Sequence, residues 1–306
     1  MFIKKHKRGI ASLLIVGSFF TTILFGCSKK EEVSSTPKAN GFQWEVKKDD
    51  KIMYLIGTMH PINKGYDYFT DTVNNIVKET DVLAVEINPT QEEILKVNAD
   101  GVYAGDDSIE KELSKDQVEK LKSICNETGI EYEKIKILKP NMVVNNLEAV
   151  LYDKAGLTME TFDDMLMKDI KNKKKEIVQL ESIGFQMDLL NKIGGIQALK
   201  ASLDAHEDGK FIESGKEVIE YSEGLMDGYV KGDTKVMEDA IKTQKQSPES
   251  YDLMITKRNK AMVEKMEKFF KEDKTYTVAV GALHFFGDDG IVKMMKDNGY
   301  EVNIME

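Results

Sequence analysis

Two short motifs hold the residues best suited to chemistry. Leu55-Ile56-Gly57-Thr58-Met59-His60 and Ala279-Val280-Gly281-Ala282-Leu283-His284 are each an apolar run followed by Gly-x-x-His. They use two of only four histidines, the others being His6 and His206. Imidazole is the side chain that trades protons or binds metals near neutral pH. Glu86 directly follows the apolar run Val82 to Val85, and Glu181 follows Val178 to Leu180 in the same manner. Arg258 continues a helical face with Met262, Met266 and Phe269. Two imidazoles with one or two carboxylates suit a divalent ion such as Mn, Co, Zn or Fe. His60, His284 and Glu86 are then the metal ligands, and a bound water would have its pKa lowered to about 7. Glu86 is alternatively a general base. Glu181 is a further catalytic candidate, and Arg258 would orient a substrate carboxylate or a developing oxyanion. Plainer alternatives stand beside these. The histidines are hydrogen-bonded loop residues, Glu86 a helix cap or salt-bridge partner, Glu181 a helix cap, and Arg258 the ion-pair partner of either acid.

The pattern around these residues predicts an α/β fold with a mixed sheet. Phe42, Trp44 and Val46 alternate, Lys48 to Asp50 turn the chain, and Ile52 to Ile56 form a second strand. Phe69, Val73, Ile76 and Val77 recur at helical spacing before the strand Val82–Val85, which makes a βαβ-type unit with parallel strands. A second such unit runs from the strand Thr275–Val280 through a helix holding Ile291, Met294 and Met295 to a final strand at 300–305. In each unit the glycine permits a turn with positive φ or a close backbone approach. The histidine then stands at the carboxyl edge of the sheet, where open α/β sheets bind ligands. Between the units, about 90–250 reads as a polar, helical middle insertion. Ser114 with Gln117 forms a capping box there, Pro140 opens a helix, and Glu176 to Leu180 is a short strand. His206 falls in an acidic helical stretch, and Cys125 on an apolar helix face is inert core.

The N-terminus reads as an address. Met1–Arg8 is basic and 9–26 carries no charge; Cys27 and the polar stretch 28–40 follow. This is a lipoprotein signal over 1–26, with Cys27 the lipid (palmitate-type) attachment site, a flexible tether over 27–40 and a folded domain over 41–306. An uncleaved single-span anchor is the alternative. Either way the body lies on the outer face of the cell membrane, because the cations precede the apolar run. The chain's net charge is −10 and its first 26 residues hold four cations and no acid, so the rest carries −14. An acidic body excludes nucleic-acid backbone binding, which needs a basic stripe. Two cysteines in 306 residues exclude a disulfide framework and a Cys-rich zinc site.

The chain resembles the TraB/GumN family, which includes the Tiki membrane proteases. The resemblance rests on Trp44 through the Gly-Thr-x-His block at His60, Asp81 to Glu86, Leu180-Glu181 with Gln186, and Arg258-Asn259. It closes with Val280 to His284, Gly287, Gly299 and Tyr300. The family often has an Asp after a Gly-Ile pair ahead of the middle helix; here Gly156-Leu157 is followed by Thr158. The resemblance implies paired Gly-x-x-His motifs at one site, and a metal-dependent peptidase with manganese or cobalt as the usual metal. Other members are linked to shutdown of peptide pheromones. The expected function is a membrane-anchored hydrolase acting on peptides or protein N-termini. Two alternatives stay open: a lipoprotein that sequesters a peptide without cleaving it, and one that binds a metal or haem.

Overall fold

The computed structural model describes residues 36–305. The expected signal peptide, Cys27 and most of the expected tether lie outside the described residues. The last residues assigned to that tether belong to the domain instead. Ala39 is buried, Asn40 and Gly41 donate backbone hydrogen bonds to Val230 and Tyr229, and Lys38 bridges to Asp67. Packing against the body holds these residues in place.

Strands β1 (Phe42–Lys48) and β2 (Lys51–Thr58) form the expected hairpin, turning through Asp49 and Asp50. Asp49 takes a φ of 55° there, a left-handed conformation that aspartate tolerates better than most residues. Helix α1 (Asp71–Glu79) is capped by Thr70, whose side chain accepts from the Val73 amide, and buries Val73, Ile76 and Val77. Strand β3 (Val82–Val85) follows, buried throughout.

The middle is helical, as expected: α2 (Gln91–Asp100), α3 (Lys115–Thr128), α4 (Pro140–Lys154) and α5 (Phe162–Asn172). Then come strand β4 (Glu176–Gln179), α6 (Ile183–Ile193), α7 (Gly195–Ala205), α8 (Lys216–Lys231) and α9 (Thr234–Gln244). Ser114 and Gln117 close the capping box on α3, and Pro140 occupies the first turn of α4, where its missing N–H costs nothing. The chain returns through a π-helical turn at Asp252–Thr256, α10 (Lys257–Phe269), β5 (Tyr276–Gly281), α11 (Ile291–Asp297) and β6 (Glu301–Met305).

The six strands form one mixed sheet in the order β4-β3-β5-β2-β1-β6. β4, β3, β5 and β2 are mutually parallel, while β1 is antiparallel to both β2 and β6. Neither βαβ-type unit pairs its own two strands. β5 lies between β2 and β3, and β1 and β2 lie between β5 and β6, so the two units interlock. The consequence is positional: β2, β3, β4 and β5 all end at one edge, and His60, Glu86, Glu181 and His284 follow those ends by one to three residues.

Two apolar cores result. The larger packs the sheet strands against α1, α5, α10 and α11 and includes Leu55, Val73, Leu83, Leu166, Met266 and Val278. The smaller lies wholly in the helical middle, around Ile109, Leu121, Ile124, Val143, Leu147, Leu151 and Leu199. Cys125 is buried in this second core. Among the described residues no helix is long and apolar enough to cross a membrane.

Candidate functional site

The parallel strands deliver His60, Glu86, Glu181 and His284 to the shared edge. Thr58 pairs with Gly281 and Val85 with Ala279, so the two Gly-x-x-His segments leave the sheet one residue out of step. The glycines work by close approach, since neither takes a positive φ. A Cβ on Gly57 would lie 3.2 Å from Cα and Cβ of Ala282. A Cβ on Gly281 would lie 3.4 Å from the Glu86 carboxylate. The helices expected after the two motifs form as α1 and α11, but neither starts at the histidine. His284 sits in a single 3-10 turn, Ala282–Phe285, and after His60, where the His60–Pro61 bond is cis, ten residues pass before α1.

Glu86 is 4 % exposed and lies at the centre. Its Oε1 accepts from the Gly281 amide at 2.8 Å, and its Oε2 accepts from Arg258 Nη2 at 2.5 Å and from Gln186 Nε2 at 3.0 Å. Burial alone would raise its pKa. The Arg258 guanidinium, the two imidazoles and the Gly281 amide override burial and hold the carboxyl well below the usual carboxylate range. Arg258 also donates from Nε and Nη2 to Glu181 at 2.8–3.1 Å, and from Nη1 to the Met254 carbonyl. The π-helical turn presents that carbonyl to the arginine. Arg258 is therefore committed to two buried acids, not turned toward a substrate. The return from α10 into β5 brings the head of α10 back to the sheet edge, which is why Arg258 arrives there.

The histidines differ. His60 Nε2 lies 2.6 Å from Asp163 Oδ2, and Asp163 Oδ1 accepts from Thr58 Oγ1 at 3.0 Å. Burial pushes the His60 pKa down, but Asp163 beside it prevails and holds it up at about 9. His284 lies against an amide instead. Its Nδ1 is 2.6 Å from Asn259 Oδ1, and Asn259 Nδ2 donates to the carbonyls of His284 and Asp289. Those two donations fix the amide orientation, so Oδ1 must accept and His284 Nδ1 must carry the proton. Neutral His284 thus keeps its lone pair on Nε2, which lies 3.8 Å from Glu86 Oε1. Burial, and next the Arg258 charge, push its pKa down to about 3.

Asp163, Asn259 and Gln186 complete the site. Asn259 and Gln186 belonged to the family resemblance without an assigned role. Asp163 carried no signal, because an acid in the first turn after the cap Thr161 is an ordinary helix-dipole feature. The position after Gly156-Leu157 holds Thr158; an aspartate reaches the site five residues later. His206 lies apart in the helical middle, buried against Phe211.

The expected three-ligand metal site is not assembled. Among the described residues no three of His, Cys, Asp and Glu gather into a cage for an ion. The donor types would suit a borderline divalent ion, and His284 Nε2 faces Glu86 Oε1 at 3.8 Å. Glu86 is already engaged by an arginine and an amide, and His60 Nε2 is turned to Asp163. The residues as arranged do not fit that cofactor.

An α/β sheet carrying buried acid and imidazole at the carboxyl edge of its parallel strands defines the class of fold. Within it, the chain belongs to the TraB/PrgY/gumN family, whose sequence profile matches residues 42–304. It is similar to the uncharacterized protein YbaP of Escherichia coli K12, at 23 % identity over 79 % of this chain and 87 % of YbaP. The YbaP of Shigella flexneri matches equally. It is also similar to a protein of Amphimedon queenslandica named metalloprotease TIKI homolog, at 24 % identity over 95 % of this chain and 66 % of that protein. No solved structure matches.

Proposed function

We propose that this protein is a hydrolase acting on peptides, held on the outer face of a membrane by a lipid on Cys27. The observation that carries the hydrolase reading is the pairing of unlike histidines about one ionised carboxylate. His284 presents an Nε2 lone pair beside Glu86, able to accept a hydrogen bond from a water and orient it. His60, kept charged by Asp163, supplies positive charge on the same edge for an oxyanion. Arg258 positions Glu86 and Glu181 and helps keep Glu86 ionised. The name of the sponge relative supports hydrolysis of a peptide bond. The basic, apolar and cysteine pattern of the first 27 residues supports the anchor.

That same name speaks for a divalent metal, with manganese or cobalt expected from the family resemblance. The side chains as arranged form no cage for an ion, so metal dependence is tested separately from cleavage. The experiment is incubation of a peptide mixture with the purified chain, with product detection by mass spectrometry. The reading expects cleavage that His60→Ala and His284→Ala each reduce at least a hundredfold while both variants stay folded. Intact peptide after long incubation, with or without added manganese or cobalt, would sink it in favour of peptide sequestration. Loss of cleavage with EDTA, restored by one metal, would establish the metal-dependent form.

A further inference from the structure

β4 and β6 are the two edges of the sheet, and the sequence guards them unequally. β4 has only four residues, Glu176–Gln179, and lysines stand at 173, 174 and 175 directly before it. Short strands and lysines are a common means of keeping an edge from pairing with another chain. β6 has none of that protection. Its sequence, Glu301-Val302-Asn303-Ile304-Met305, holds one charge and neither lysine nor proline. It pairs with β1 at five consecutive positions, so no bulge turns it away. Among the described residues no strand pairs with its outer side. Ile304 on this edge is 53 % exposed.

Register says what the edge would accept. Trp44 of β1 lies between Leu55 and Ile304, and Val46 lies between Met53 and Val302. Residues directly opposed in a ladder share a face of the sheet. Two apolar rows therefore cross β2, β1 and β6 and stop at the edge. The other face of β6 carries Glu301, Asn303 and Met305, and Asn303 Nδ2 donates to Glu301 Oε1 at 2.8 Å. A second β6, antiparallel and related by a two-fold axis through Asn303, continues both faces. Ile304 then opposes Val302 of the second copy, and Val302 opposes its Ile304, so each apolar row runs on into the other molecule. Asn303 opposes itself, where one carboxamide offers both donor and acceptor to the other. Glu301 opposes Met305, and the two Glu301 carboxylates stand about 14 Å apart along the ladder, beyond the Debye length of about 8 Å at physiological salt. An axis through Val302 would bring those carboxylates to about 7 Å, and one through Ile304 would leave Glu301 and Val302 unpaired within β6. The register on Asn303 pairs all five residues and opposes no like charges. An isologous contact needs this self-complementarity.

We propose that β6 is the interface of a symmetric dimer, in which two copies of this chain join edge to edge into one continuous sheet with its two-fold axis at Asn303. Five residues a side fall short of the roughly 1,600 Å² of a standard interface, so the contact is weak in dilute solution and is favoured where copies are concentrated. The proposal goes beyond the hydrolase reading and does not depend on it, since β6 carries none of the residues at the carboxyl edge.

The test is disulfide trapping of the full chain in detergent with copper phenanthroline, read as dimer on a non-reducing gel. Directly opposed Cα atoms of an antiparallel pair lie about 4.5–5.5 Å apart, within disulfide reach, whereas a separation above about 7 Å is not bridged. Asn303→Cys should therefore trap dimer at least tenfold faster than the parent chain, whose Cys27 and Cys125 set the background. Glu301→Cys alone should stay at background, and mixing it with Met305→Cys should restore trapping. Ile304→Lys added to Asn303→Cys should return the rate to background. Residues 301, 303 and 304 are exposed, so these variants should fold, and an unchanged circular-dichroism melt checks that they do. Asn303→Cys trapping no faster than the parent or than Glu301→Cys would overturn the proposal. So would trapping that survives Ile304→Lys, which would mark random collision or another surface. None of these readings involves peptide cleavage, so failure of the hydrolase reading and failure of this one are told apart.

Discussion

His60 and His284 close the same four-residue motif on neighbouring parallel strands, yet they present opposite chemistry. The His60 loop places its ring against a carboxylate, Asp163, and the ring is held charged. The His284 loop places its ring against a carboxamide, Asn259, and the ring is neutral with its free lone pair on Nε2. The His60 side chain is 12 % exposed and the His284 side chain 6 %, and burial pushes both pKa values down, so burial alone does not separate them. The Asp163 carboxylate beside His60 and the Arg258 charge near His284 do. A repeated motif therefore fixes position, and the partner supplied by another part of the chain fixes protonation.

The comparison can be broken most severely at the group both loops depend on. Arg258→Met would leave Glu86 and Glu181 buried without their counter-ion, and removing one partner of a buried pair costs about 3–5 kcal/mol. Urea unfolding of this variant should show that loss, and an unchanged midpoint would mean the acids have another source of compensation. Asn259→Leu removes the acceptor at His284 Nδ1 and the donor to two carbonyls, a cost of about 1–3 kcal/mol. It should also let the ring change tautomer, which ring-nitrogen NMR shifts would report.

Asp163→Asn sharpens the other half. It removes the charge holding His60 up, so the His60 pKa should fall from about 9 toward or below the ordinary histidine value of about 6.5. An NMR titration still giving about 9 would show that Glu86 or Asp164, not Asp163, controls that ring. The smallest effect is on stability against pH. Folded His60 binds its proton more tightly than the unfolded chain does, so its contribution is complete below pH 6.5 and is lost as pH rises through about 9. Folded His284 binds its proton more weakly, so its contribution is complete above pH 6.5 and is lost as pH falls toward about 3. The melting temperature should therefore peak near pH 6.5. Asp163→Asn should flatten the alkaline limb while leaving the acid limb in place.

How much of this was legible differs between the same two regions. The hairpin, both Gly-x-x-His segments and the strands before Glu86 and Glu181 could be read from alternation and apolar runs of four to eight residues. Such patterns are local, and a parallel strand's direction then dictates the edge at which its next residue emerges. The helical middle was legible as helices through its caps at Ser114 and Pro140 but not through its polar stripe. Asn141, Asn145 and Glu148 look like solvent-facing residues in the sequence and are buried because α4 packs against α7 and α8.

The sequence by itself determined which residues reach the sheet edge: His60, Glu86, Glu181 and His284, each placed by the end of its own strand. Only the tertiary structure decided what those residues are chemically. The partners lie 103 positions from His60 at Asp163, 25 from His284 at Asn259 and 172 from Glu86 at Arg258. Protonation, tautomer and the commitment of Arg258 to two acids depend on charges and dipoles within a few ångströms in space. Coulomb and hydrogen-bond energies fall with distance through the folded protein, not along the chain. No local pattern therefore encodes them.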